Sequence, residues 1–220
     1  MKSPIPEDER DRLDAVELYD LIERGSDRIL NDLTRLAAAI CETPISLVTF
    51  VREDRQDHMA GTGMELGSTS RDEAFCAHAL DLDDLLVVED ATVDERFADN
   101  PFVVDDPSIR FYAGAPLRMP GEHTLGTLCV IDKQPRQLNT SRRDALRILR
   151  DTIVTHLELK RAREDIKAIR SLLPMCAWCR SIRTPDDRWV PIHEYVSDTQ
   201  PVSHGICPIC SQNLTETSAD

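Results

Sequence analysis

Four cysteines toward the C-terminal end fall into two pairs, Cys176-Ala-Trp-Cys179 and Cys207-Pro-Ile-Cys210, with 27 residues between them. A CxxC turn aims two thiolates at one point. A second such turn closes a tetrahedral set of four sulfurs of the kind that holds Zn2+. The spacing predicts a structural zinc site with Cys176, Cys179, Cys207 and Cys210 as ligands. Four separate core cysteines would not need this spacing, and disulfides are disfavoured in a reducing compartment. An iron site of the same four-sulfur type usually carries Gly after each knuckle, where Arg180 and Ser211 stand here. His204 is an alternative ligand, or a structural hydrogen-bonder just before the second turn. A module this small has little core, so a metal would hold it together, helped by Trp178, Trp189 and Tyr195. The same thiolates could instead form a redox switch that releases zinc on oxidation.

The remaining cysteines, Cys41, Cys76 and Cys129, sit among apolar neighbours and read as small buried hydrophobes. The 220 residues carry a formal net charge of -14 and allow one large domain, or one domain with a small module. That charge argues against a nucleic-acid partner, because phosphate binding needs clustered cations. From position 174 onward three Arg face six Asp or Glu, so the cysteine module is acidic as well. Residues 139–173 are the basic stretch, nine Lys or Arg against five Asp or Glu. They read as solvated charge that favours pairing with the acidic body. The start, MKSPIPEDER, has no apolar run of a secretory signal, and no 18-residue apolar run occurs. A cytoplasmic protein with no membrane partner is expected.

These residues need elements to position them. Residues 11–40 have near-3.6 apolar spacing (Leu13, Val16 and Leu18, then Leu21, Ile22, Ile29, Leu33, Leu36 and Ile40), interrupted at Gly25-Ser26. Ser26 or Asp27 is placed to cap the second piece. Ile45–Val51 reads as a β-branched strand, and a second strand leads to Gly61 and Gly63. A short capped helix is expected over 68–80, a strand over 85–88, and a helical piece over 94–98 in an Asp-rich excursion. Strands follow over 110–117 and 125–132, with Gly121 in the turn. Residues 141–173 hold no Pro or Gly and read as one long helix capped by Thr140 or Ser141 and ended by Pro174. Its second half extends past any core and suggests pairing with a second copy. The order gives α+β with a mostly antiparallel sheet.

The middle of the chain resembles a GAF domain, the small-molecule sensor fold of signalling proteins. The residues that carry the resemblance are Phe75-Cys-Ala-His-Ala-Leu, Val87-Val-Glu-Asp-Ala and Asp94-Glu-Arg-Phe-Ala-Asp-Asn-Pro. Ile109-Arg-Phe-Tyr-Ala-Gly-Ala-Pro-Leu and Leu125-Gly-Thr-Leu-Cys-Val-Ile-Asp continue it. The order and spacing are those of bacterial GAF domains beside histidine kinases and cyclic-di-GMP enzymes. The tail, from Leu173-Pro-Met-Cys to Ser203-His-Gly-Ile-Cys-Pro-Ile-Cys, resembles a Cys-rich module at the end of bacterial sensory proteins.

The resemblance implies a GAF-like antiparallel sheet flanked by helices over 10–138. A connecting, dimerising helix over 139–173 and a four-cysteine zinc module over 174–214 follow. It places a ligand between the sheet and the 68–110 excursion, with Phe75, Cys76, His78, Asp90, Arg110 and Tyr112 as candidates. Each also has a structural role open to it: Asp90 could cap a turn, Arg110 could pair with a loop Asp, and Phe75 and Tyr112 could be core. The function implied is a cytosolic sensor or adaptor that senses a small molecule or holds a homodimer. It passes its state through the helix to the zinc module, which binds a protein partner such as a signalling kinase or response regulator. No enzymatic activity is expected. The alternative, a thiol reductase of the GAF type centred on Cys76 and His78, lacks its cysteine pattern. The two residues also point apart on a helix. His156 reads as an ordinary helix residue.

Overall fold

The computed structural model describes residues 3–20, 23–121, 123–171, 173–184, 186–192, 202–208 and 210. The chain forms two compact units, Met1–Arg161 and Ala162–Asp220. In the first, α1 (Glu9–Leu18) and α2 (Arg28–Cys41) precede β1 (Ile45–Val51), β2 (Arg55–Thr62) and β3 (Ser68–Ser70). After two 3-10 turns (Arg71–Glu73, Phe75–Ala79) come β4 (Leu86–Val88), α3 (Pro101–Val104), β5 (Phe111–Arg118) and β6 (Thr124–Asp132). The helix α4 spans Thr140–Ser171. Six strands form an antiparallel sheet in the order β3-β2-β1-β6-β5-β4. The class is α+β, with helices flanking the sheet.

Alternation along the strands gives the sheet two buried faces. On one face Val48, Phe50, Phe111, Ala113, Leu128 and Val130 meet α1, α2 and the packed side of α4, through Val16, Leu30, Leu146 and Ile153. On the other, Leu47, Tyr112, Cys129 and Ile131 meet Phe75, Ala79, Phe97 and Val103 of the segment between β3 and β5. Arg12 is fully buried and donates to the carbonyls of Val51 (2.8 Å) and Thr124 (3.2 Å), fastening α1 to the sheet. Gly126 lets β6 lie against β1, since a Cβ there would sit 1.9 Å from the Thr49 carbonyl oxygen.

Several sequence expectations change. Residues 68–80 are not a helix: Ser68, Thr69 and Ser70 pair with Asp57, Gln56 and Arg55 as an edge strand, and short 3-10 turns follow. Residues 94–98 form turns, and the short helix starts at Pro101 behind an Asn100 cap (Oδ1 to Phe102 N, 2.9 Å). The first turn of α4 is capped by Asn139, which accepts from Arg142 N at 2.9 Å, rather than by Thr140 or Ser141. Asp27, not Ser26, caps α2. Leu21 and Ile22 lie outside the described residues.

The second unit holds a small sheet in the order β10-β7-β8-β9, from Leu173–Cys176 (β7), Ile182–Arg183 (β8), Trp189–Val190 (β9) and Val202–Gly205 (β10). No helix of the described residues is long and apolar enough to cross a membrane.

Candidate ligand pocket and cysteine cluster

A cavity of about 80 Å³ opens between the sheet and the segment that follows β3. Ile45, Leu47, Phe75, Phe102, Ile109 and Ile131 give it apolar walls. Phe75 stacks on Phe97 with centroids 4.1 Å apart and lies 5.2 Å from the tilted Tyr112 ring. Gly114 makes room for that ring on the same strand face, because a Cβ there would be 2.2 Å from the Tyr112 hydroxyl.

The six sequence candidates do not gather at one point. Phe75, Cys76 and Tyr112 line the cavity; His78, Asp90 and Arg110 do not. The half-buried His78 ring sets its edge against Phe97 at 4.8 Å, and burial followed by the Arg96 charge lowers its pKa. Asp90 accepts from Thr92 N (3.0 Å) and Oγ1 (2.7 Å), which caps a turn. Arg110 donates to the carbonyls of Val103 (2.9 Å) and Ile109 (3.0 Å), not to a loop Asp, and holds α3 against the start of β5.

Cys76 sits in a buried polar group with Cys129, Thr127, Thr49 and Tyr112. Burial opposes its thiolate, and hydrogen bonds from those neighbours outweigh burial and draw it down to about 6. The bond with Cys76, and then burial, push Cys129 well above the ordinary thiol range. Cys76 thus bonds to hydroxyls and a thiol, while the His78 imidazole packs on Phe97. Among the lining residues not singled out in the sequence are three polar ones, Gln56 and His58 on β2 and Thr69 on β3. Gln56 and His58 lie in a polar stretch without apolar alternation, so the sequence left their buried face unmarked.

In the second unit, the Sγ atoms of Cys176, Cys179, Cys207 and Cys210 all lie within 4.8 Å of one another. Cys179 and Cys207 sulfurs are 3.8 Å apart, the separation expected around a tetrahedral ion with Zn–S of about 2.3 Å. All seven cysteines are free thiols. Cys207 N donates to Cys176 Sγ at 3.3 Å. Burial opposes ionisation of Cys176, but the N–H groups of Cys179, Cys207 and Trp178 bring it down to about 6. Burial and the sulfurs of Cys207, Cys179 and Cys176 push Cys210 up to about 12. Four such sulfurs ionise together only around a cation, so the donor set fits a metal. Trp178 is 69% exposed and is not the core residue expected; Trp189 packs on the cysteines instead. Tyr195 and the His204 side chain lie outside the described residues.

Comparison with known proteins agrees with this geometry. The GAF domain family profile matches residues 26–159. A cyclic di-GMP phosphodiesterase of Pseudomonas aeruginosa is 42% identical over 133 residues, 60% of this chain. The chain spans 23% of the length of that curated relative. The relative is named as an enzyme, which overturns the expectation of a protein without enzymatic activity. The matched segment of the relative belongs to a much longer enzyme. Among solved structures, the GAF domain of an Acinetobacter phosphoenolpyruvate-protein phosphotransferase is 18% identical, with a TM-score of 0.50. That match covers 71% of this chain and 96% of the other. The chromophore-binding domain of a bacteriophytochrome from R. palustris is 9% identical, with a TM-score of 0.52, covering 70% of this chain and 62% of the other. These two likenesses concern the fold alone. With the family profile spanning more than half of its residues, the chain belongs to the GAF domain family.

Proposed function

We propose that this chain is a sensory segment of bacterial cyclic di-GMP signalling. Its GAF domain takes up a small molecule, and α4 carries the change to a zinc module that docks a protein partner such as a signalling kinase or response regulator. The link to cyclic di-GMP rests on the relative named above.

The observation that carries the reading is the sharing of one pair of strands between pocket and helix. Tyr112, Cys129 and Ile131 of β5 and β6 line the pocket. Their neighbours Phe111, Ala113, Leu128 and Val130 belong to the core that includes Leu146, Leu149, Ile153 and Leu157 of α4. Close-packed side chains transmit displacement instead of absorbing it. A ligand would act by favouring one arrangement of strands and helix over another.

Two features support the rest. Ile148, Thr152, Thr155, Leu159, Ala162, Ile166 and Ile169 follow the 4-3 spacing of a coiled-coil seam, and all are exposed. A second copy of the chain pairs along that seam in this reading. The four-sulfur cluster suits Zn2+ in a structural role.

The test is hydrogen–deuterium exchange on an Ala74→Leu variant, which fills the cavity from a buried wall residue. Altered exchange across residues 146–157 of α4 is expected. A change confined to the pocket-lining strands would contradict the reading.

A further inference from the structure

Apart from the group around Cys76, the polar lining of the pocket lies at its β2–β3 end, and that end is incompletely satisfied. Gln56 Oε1, His58 Nδ1 and Thr69 Oγ1 are buried without a hydrogen-bond partner. Gln56 and His58 lie two apart on β2 and so face the same side of the sheet. Thr69 stands directly opposite Gln56 in the β2–β3 register. Gln56 Nε2 and His58 Nε2 are 3.4 Å apart, which joins the two side chains and leaves their other polar atoms over. Buried polar atoms are seldom left in this state, because each forfeits its bonds to water and gains none. Three together on lining residues of one cavity indicate a missing partner.

Charge and size restrict that partner. Among the described residues, no Asp, Glu, Lys or Arg lines the cavity, and the Cys76 thiol, drawn toward its thiolate, would repel an anion. Burial, followed by the Arg24 charge, lowers the His58 pKa, so the imidazole is neutral at neutral pH. An anionic ligand would enter without a counter-charge, at a high desolvation cost. A cavity of about 80 Å³ compares with roughly 10–15 Å³ for one water, which leaves room for one ring and not for a nucleotide. Phe75, Phe102 and Tyr112 offer aromatic surface for that ring.

This inference rests on the sensor reading and deepens it. We propose that the pocket binds a neutral monocyclic molecule with a carboxamide-type head. The ring lies among Phe75, Phe102 and Tyr112, and the donor and acceptor of the head bond Gln56, His58 and Thr69. The signal sensed is then chemically distinct from a cyclic dinucleotide.

Benzamide and its anionic counterpart benzoate are the probes, read by melting temperature and by side-chain NMR of the full chain. Benzamide is expected to raise the melting temperature and to shift the His58 imidazole and Gln56 amide resonances; benzoate is expected to do neither. A Gln56→Leu/His58→Leu double variant removes two of the three unpartnered atoms and leaves Thr69 Oγ1 in place. It is expected to melt higher than the parent without ligand and to bind benzamide about tenfold more weakly or worse. Benzoate binding as tightly as benzamide, a benzamide response unchanged in the double variant, or no response at millimolar benzamide would each overturn the proposal. If benzamide is silent but the double variant melts higher, the ligand class falls and the sensing pocket stands. If benzamide is silent and the double variant melts lower, the polar end is structural, and the sensor reading falls with it.

Discussion

Asp27 shows how much one side chain decides in this fold. Its carboxylate caps α2 by accepting from Ile29 N (3.0 Å) and Leu30 N (3.2 Å). It also accepts from His156 Nε2 (2.9 Å) and Lys160 Nζ (3.0 Å) of α4. Burial opposes its charge, but these partners prevail and hold its pKa at about 2. A carboxylate lowered on folding stabilises the native state above its unfolded value near 3.9, and that contribution fades as pH falls through about 2. Urea unfolding should therefore lose this increment between about pH 4 and pH 2. Asp27→Ala should cost about 1 kcal/mol or more at pH 7, because both the cap and the tie to α4 go. Asp27→Asn should cost less, since Asn caps equally well. Equal losses in the two variants would show that the cap contributes nothing. The cap was legible in the sequence because it is local; the tie to positions 156 and 160 spans the chain and was not.

The elements were legible in proportion to how far their own residues define them. Ile45–Val51 matches its strand end to end because its β-branched and apolar residues suit a sheet buried on both faces. The edge strand β3 has only Ser68, Thr69 and Ser70, polar residues whose strand state exists through pairing with β2. The polar end of the pocket was hidden for a related reason. Gln56 and His58 flank Asp57 in a stretch with no apolar alternation, so nothing local marked which face was buried. The four cysteines were plain because a CxxC turn needs no distant partner. The exposed α4 seam yields its own prediction. Leu159→Lys with Ile166→Lys should convert a homodimer to a monomer in sedimentation. Both side chains are exposed, so the melting temperature of the GAF unit should move by no more than about 2 °C. A dimer of unchanged mass would remove α4 as the pairing surface.

At the scale of the molecule, the chain joins a GAF unit and a cysteine-rich unit, each organised around a different chemistry. The first is held by two apolar layers on one sheet and carries an incompletely satisfied pocket. The second has few described core residues besides its cysteines and Trp189, so its stability depends on what the sulfurs bind. Sensor, paired helix and metal module make one coherent device only if they occur together in the purified protein. Native mass spectrometry of the full chain, prepared without added metal or reductant, reads all three at once. The expected species is a dimer with one zinc per chain, with or without a small neutral adduct. A metal-free monomer lighter by about four hydrogens, the mark of two disulfides, would contradict both the paired helix and the structural zinc site.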